Sequence, residues 1–336
     1  MQKRLIILTI LAAVLLACSL PIRYVDETRI TPVVDTPEPA APVFPTPLPY
    51  QPKLPTPTIH LTMTASPTPE PSATPLPTPW LNRPAGQVNI LVLGVDERPG
   101  VRGYRTDVIL WVSLNPAQGT ASVISFPRDL YVHIPGHQDN RINVAHSFGF
   151  QTLAETFAVN FGVRPDHYIM TNFEGFTNIV NSLGGIVVEA ATDLTDKCDL
   201  PQAVNGYCTI RAGSNHMDAQ TALWYVRARY TTSDFNRARR SREVLLALFR
   251  GMVSIDAVTK APALYEQYRA NVDTDLSLQD ILPLVPLAVD LTQPGHMRLY
   301  NLTSDHVTSF VTETGAQVLL PNVEAIQGLF YQALMP

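Results

Sequence analysis

Between Arg227 and Arg242 the chain reads RARYTTSDFNRARRSR, six arginines in sixteen residues of a protein whose formal net charge is -5. Three Arg/Asp clusters precede it: Asp96 and Arg98 in LGVDERPG, Arg105 and Asp107 in YRTDVIL, and Arg128 and Asp129 in SFPRDLYV. A guanidinium presents a planar fork of donors that grips two phosphate oxygens at once, which a lysine ammonium does not. Of the 24 basic residues, 20 are Arg and 4 are Lys. Magnesium needs only one or two protein carboxylates and keeps water or phosphate oxygens in its other positions. Arginines beside aspartates therefore suit phosphoryl transfer. They also suit structural ion pairs that close loops, and the long run suits a solvated helix face or a nucleic-acid patch.

The elements around these clusters sharpen the choice. VNILVLGVD, DVILWVSLN and ASVISFP are short apolar runs rich in β-branched residues, as buried strands require. Asp96 and Arg98 follow the first, Arg105 and Asp107 lead into the second, and Arg128 and Asp129 follow the third. Charge beside a buried strand is costly unless it is paired or used in chemistry. Loops at strand ends are also where open α/β sheets bind ligands. INVAHSFGFQTLAETFAVNFG and FEGFTNIVNSLGG read as helices, the second closed by a glycine, and GGIVVEA returns to strand. The alternation predicts an α/β domain with helices packed on a central sheet. Further on, LSLQDILPLVPLAVDL reads as a helix despite Pro283 and Pro286, and HMRLYNL as a strand, within the same domain.

Within the arginine run, Arg227 and Arg229 alternate with Val226, Ala228 and Tyr230, which predicts extended chain. From Asp234, a plausible N-cap, to Met252 the periodicity is helical, with Val244, Leu245, Leu248 and Met252 on the buried stripe. That phase puts Arg237, Arg240 and Ser241 on or beside the stripe and turns Arg239 and Arg242 towards solvent. Arg227, Arg229, Arg237 and Arg240 are then the substrate-side set.

The ends of the chain suggest where it works. Lys3-Arg4, an apolar run from Leu5 to Ala17 and then Cys18 describe an export signal, too short to span a bilayer core. LLAC resembles a bacterial lipobox, with Cys18 as the acylated mature N-terminus. Residues 19–86 hold 18 of the 30 prolines without apolar periodicity, the composition of an extended, disordered tether. Residues 87–336 are enough for one large domain. Outside the cytoplasm, Cys198 and Cys208 in CDLPQAVNGYC are read as a disulfide. A zinc site would have only His216 to add to them. Export also argues against nucleic acid as the partner of the arginines.

NILVLGVDER, RTDVILWV, SFPRDLYVHIP, RINVAHSFG, NFEGFTNIVNSLGGIVV and ALWYVRAR with DFNRARR resemble, in order, the successive motifs of the LytR-CpsA-Psr family. The resemblance spans about residues 88–250. It implies a central sheet flanked by helices, with an apolar cleft for a prenyl chain. It implies a phosphotransferase at the outer face of the membrane that takes a glycopolymer from a polyprenyl-pyrophosphate carrier. The glycopolymer is joined through a phosphodiester to a cell-wall acceptor, usually a peptidoglycan hydroxyl. Mg2+ or Mn2+ would be held by Asp96 and Asp107, with Arg105 and Arg128 on the phosphates. Arg227 and Arg229 join Arg105, Asp107 and Arg128 as the catalytic set, and Arg98, Arg237 and Arg240 bind phosphate.

Two features depart from that pattern. Ser241 stands where the family usually has Gln, and a lipid at Cys18 with a long tether replaces the usual transmembrane helix. The general base is open between Asp107, Asp129 and metal-activated acceptor; His133 and His146 are read as structural. Two rival functions use overlapping residues. A hydrolase of lipid-linked pyrophosphate would need the same arginines and metal. A non-catalytic lipoprotein holding anionic glycopolymer would need the arginines without Asp96 and Asp107.

Overall fold

The computed structural model describes residues 80–96, 105–231, 234–254, 266 and 268–335. A six-stranded mixed sheet organises the domain. Its central strands are β1 (Val88–Val95), β2 (Thr106–Asn115) and β3 (Thr120–Phe126), joined antiparallel. The strand His167–Asn172 runs parallel to β1, and Met297–Asn301 runs parallel to β3. The short strand Asp273–Thr274 closes one edge against His167–Asn172. The expectation of an α/β fold with helices flanking a central sheet is met.

The two sheet faces have different fates. On one, Leu91, Leu93, Trp111, Ile124 and Phe126 pack against the helices Phe150–Phe161 and Val323–Leu334. Trp111, Phe126, Phe157, Phe161 and Phe330 form a ring cluster with centroids 5.0–6.3 Å apart. The buried Trp111 indole donates to Ser113 Oγ at 2.8 Å, and Ser113 Oγ donates to Asn89 Oδ1 at 2.8 Å. The Trp111 indole and the Ser113 hydroxyl taken into this core therefore each have a partner. Over the other face lie the helices Phe173–Leu183, Ala219–Arg227 and Asp234–Val253. They share a second apolar cluster with the hairpin formed by Ile186–Ala190 and Gly213–Met217.

Several element boundaries differ from the sequence reading. The predicted helix 142–162 divides at Gly149, whose φ of 103° suits glycine; a 3-10 helix, Ile142–Phe148, precedes the α-helix. Pro283 and Pro286 divide the predicted helix near 276–291 into Leu278–Ile281, a 3-10 turn and Val285–Asp290. Met252 is 48% exposed and leaves the buried stripe that Val244 holds. The folded domain also begins before Gln87. Leu81 packs against the core and donates its N–H to the Gly162 carbonyl, and Arg83 grips Asp166. Composition marks the proline-rich stretch but not these two anchoring side chains at its end.

Cys198 and Cys208 are bonded, with Cα atoms 5.6 Å apart. They join the ends of the hairpin built from Leu194–Lys197 and Tyr207–Ile210. No described helix is long and apolar enough to cross a membrane. Cys18, Arg98 and nearly all of the predicted tether lie outside the described residues.

Candidate active site

A cavity of about 250 Å³ opens between the sheet and the three helices. Its interior is apolar, with Val92 and Leu110 from the sheet, Phe176, Leu223 and Val226 from two helices, and Leu245 and Leu248 from the third. Its polar lining is Asp96, Asp107, Arg128, Arg227, Arg229 and Arg237, together with Thr171, Asn172 and Ser241.

The backbone explains how these groups converge. Gly94 pairs with Val108 and Val95 with Thr106, so Asp107 is an extra residue at a β-bulge. A bulge re-aims its side chain, and this one sends Asp107 into the cavity. The same break in alternation separates Arg105 from Asp107. Arg105 is exposed at the strand entrance and is not part of the lining, although its carbonyl accepts from the Asp96 N–H at 3.3 Å.

Arg128 follows β3 and donates from Nη1 to Asp107 Oδ1 at 2.8 Å. Its Nε lies 3.5 Å from Asp129 Oδ2, and Arg141 Nε lies 3.0 Å from Asp129 Oδ1. Asp129, itself outside the cavity lining, thus anchors Arg128 and Arg141, whereas Asp107 lies in the lining. Asn143 braces this corner through its backbone: its N–H donates to the Arg128 carbonyl, and its carbonyl accepts from Thr106 Oγ1.

Arg227 is the last residue of its helix, not part of an extended strand, and the chain turns away at Ala228 with ψ of 128°. The turn still delivers Arg227 and Arg229 to one cavity. The Arg227 guanidinium lies 4.4 Å from the Phe173 ring centroid, a cation–π contact that holds it at the mouth. Arg237 is buried within the lining, and Ser241 donates its hydroxyl to the Arg237 carbonyl at 3.1 Å.

The other arginines of the run are structural. Arg240 is fully buried, donates to the Tyr225 carbonyl at 2.7 Å and to the Ala228 carbonyl, and is absent from the cavity lining. Burial holds its pKa below the usual arginine value. Its predicted phosphate role is therefore corrected: it fastens the turn that presents Arg227 and Arg229. Arg239 and Arg242 do not face solvent as predicted. Arg239 donates to Glu243 Oε1 at 2.6 Å and to Thr192 Oγ1 at 2.9 Å. Arg242 donates to the Tyr300 carbonyl at 2.9 Å and to Asn301 Oδ1. A simple helical wheel misses these contacts because neighbouring elements cover the far side of the helix.

Glu243 completes the brace by accepting from the Tyr225 hydroxyl at 2.6 Å. Burial, then this carboxylate, raises the Tyr225 pKa. Thr171, Asn172 and Phe173 are functional lining that the sequence reading missed as such. NFEGF was legible as a helix start, but nothing in its pattern said that the start faces a cavity.

A magnesium ion fits this donor set. Among the described residues, no group of three or more His, Cys, Asp or Glu forms a closed metal site. Asp96 and Asp107 instead supply two carboxylates to a cavity that also holds arginines, the arrangement for an ion completed by phosphate oxygens. The cavity thus combines carboxylates and guanidinium groups with an apolar interior in one lining.

Comparison with known proteins agrees with this fold. Residues 59–315 match the model of the LytR_cpsA_psr family. The chain is 30% identical over 216 residues to the polyisoprenyl-teichoic acid–peptidoglycan teichoic acid transferase TagT of Bacillus subtilis, covering 63% of this chain and 67% of TagT. It is 34% identical over 211 residues to the TagU transferase of Oceanobacillus iheyensis, covering 59% of this chain and 62% of TagU. The match therefore spans about three fifths to two thirds of these relatives. The crystal structure of Bacillus subtilis TagV superposes with a TM-score of 0.61 at 25% identity, covering 74% of this chain and 97% of that one.

Proposed function

The chain belongs to the LytR_cpsA_psr family, and from that membership we propose that it is an extracytoplasmic phosphotransferase, anchored, on the reading of LLAC, by a lipid at Cys18. Its donor is a glycopolymer on a polyprenyl-pyrophosphate carrier, and its acceptor is a hydroxyl of peptidoglycan. The observation that carries this reading is one cavity with two characters: two carboxylates and four arginines beside an apolar interior. A soluble phosphorylated substrate would have no use for the hydrocarbon-lined part. A mere anion-binding surface would have no use for Asp96 and Asp107.

In the reaction, the acceptor oxygen attacks the sugar-side phosphorus of the pyrophosphate. The new O–P bond forms as the bond to the bridging oxygen breaks, and polyprenyl phosphate leaves with that oxygen. The acceptor's proton passes to a cavity carboxylate, and Asp107, which lines the cavity, is our candidate for it. Arg128, Arg227, Arg229 and Arg237 hold the phosphate oxygens and meet the charge that grows on the leaving group. Magnesium, bound by Asp96 and Asp107, would neutralise part of that charge. Arg128 fixes Asp107 in direction by donating to one of its oxygens.

The test is phosphodiester formation from a lipid-pyrophosphate saccharide and a glycan acceptor. Arg227→Ala and Arg229→Ala should each lower the rate at least about tenfold, since one transition-state arginine can be worth roughly 10³–10⁵ and shared contacts dilute single losses. Asp107→Asn should lose its magnesium response while remaining folded. Release of free phosphorylated saccharide with no acceptor adduct would favour the hydrolase instead.

A further inference from the structure

A second cavity, of about 430 Å³, stands beside the first, and the donor chemistry leaves it unused. Its walls are Val95 at the end of β1, Thr171 and Asn172, Glu174 in the first turn of a helix, and Asn271 and Asp273 on a crossing segment. Thr171 and Asn172 line both cavities, so the two share a wall. Val95 immediately precedes Asp96, which belongs to the donor cavity.

The two linings contrast in chemistry. The first gathers arginines; among the described residues the second is lined by no Arg, Lys or His, and its charged groups are the carboxylates of Glu174 and Asp273. A neutral, polyhydroxylated ligand would meet carboxylate acceptors, amides and a hydroxyl, which is how proteins hold sugar hydroxyl and acetamido groups.

The wall is built rather than loose. Thr171 Oγ1 donates to the Asn271 carbonyl at 2.9 Å, and Asn178 Nδ2 donates to Asn271 Oδ1 at 2.9 Å. The crossing segment presses so close to the helix that a methyl at Gly175 would lie 2.6 Å from the Asn271 carbonyl oxygen. Tyr168 donates its hydroxyl to Asp273 Oδ1 at 3.0 Å, fixing that carboxylate in direction. Glu174 is exposed, with its carboxylate open to a ligand.

The geometry points to this cavity as the binding site for the acceptor sugar, with Glu174 and Asp273 taking hydrogen bonds from its hydroxyls. A glycan held there lies next to the Thr171–Asn172 wall that this cavity shares with the donor cavity. This inference rests on the phosphotransferase reading for its role and on the lining alone for its ligand class.

The test has two arms. In the first, a soluble β-1,4-linked N-acetylglucosamine oligomer is titrated against the full chain, and binding is followed by calorimetry. Saturable binding is expected, weakened at least about fivefold by Glu174→Gln and by Asp273→Asn. In the second arm, both variants should raise the acceptor KM at least about fivefold while the donor KM changes by less than about twofold. Glu174→Gln, altering an exposed side chain, keeps the test decisive if Asp273→Asn disturbs folding. An acceptor KM in Glu174→Gln within about twofold of the parent, with unaltered oligomer binding, overturns the inference. Oligomer binding without any transfer by the parent protein would support the sugar site and overturn the transfer reading.

Discussion

Six arginines of one short stretch perform three kinds of work, separated by their partners. Arg227 and Arg229 are exposed at the cavity; Arg237 is buried in its lining; Arg239, Arg240 and Arg242 are tied to protein groups. Arg240→Ala would leave the Tyr225 and Ala228 carbonyls without this donor in a buried setting, at about 1–3 kcal/mol for each unsatisfied group. A loss of roughly 2–6 kcal/mol in denaturant unfolding is therefore expected. Arg227→Ala removes one exposed cation–π contact, worth about 0.5–1 kcal/mol, yet should abolish most turnover. Equal stability of the two variants would remove Arg240 from its bracing role. His146 gives a pH-dependent counterpart. It is 8% exposed, and burial holds its pKa below the ordinary 6.5, against the opposing pull of Asp273. The unfolded chain therefore takes up the proton first as pH falls, so stability declines from about pH 6.5 downward. Melting temperatures measured between pH 5 and 8 should show that decline, and His146→Gln should flatten it.

At the scale of elements, what sequence could and could not reveal follows from how local each cause is. The buried strands, the helix Phe173–Leu183 with Gly184 at its C-cap, and the long helix from Asp234 were legible because pattern and caps are local. The bulge at Asp107 was not, because it is a mismatch between two strands and neither carries it alone. The helix ending at Arg227 was read as extended because alternation over five residues cannot be told from a helix end without its packing. Arg239 and Arg242 were misread because their acceptors, Thr192 and Asn301, come from distant parts of the chain. The Cys198–Cys208 hairpin gives this scale its own prediction. Closing so short a loop contributes about 2–3 kcal/mol in the chain-entropy model. At roughly 2–4 °C per kcal/mol for a domain of this size, reduction should lower the melting temperature by about 4–12 °C. The domain should stay folded at 25 °C, because neither cysteine belongs to the aromatic cluster on the sheet. Collapse of the whole fold on adding reductant would show that the hairpin supports far more than itself.

Across the whole molecule, one sheet divides stability from chemistry. Its aromatic face is filled, its other face is left partly hollow, and the charged groups gather where β1 ends and β2 begins. The opposite end of β1 carries a separate fastening. Arg83 Nη1 and Nη2 reach Asp166 Oδ2 and Oδ1 at 2.5 and 2.8 Å, and Asp166 Oδ2 also accepts from the Asn89 N–H at 2.8 Å. Leu81 adds a backbone bond to Gly162 and packing on the core. Seven residues separate Asn89 from Asp96, roughly 23 Å of strand at about 3.3 Å per residue. The strap can therefore affect stability without touching the site. A chain beginning at Gln87 should lose a partly buried leucine, about 1–2 kcal/mol, and an exposed bidentate ion pair worth about 1 kcal/mol or less. Its melting temperature should fall by roughly 2–12 °C relative to a chain beginning at Trp80. Arg83→Ala alone should account for only a small part of that fall, since 41% of its side chain remains exposed. At a temperature where both chains are folded, transfer rates should agree within about twofold. Equal melting temperatures would show that residues 80–86 rest on the domain without stabilising it. A lost activity in a chain still fully folded would show that the two ends of β1 are coupled.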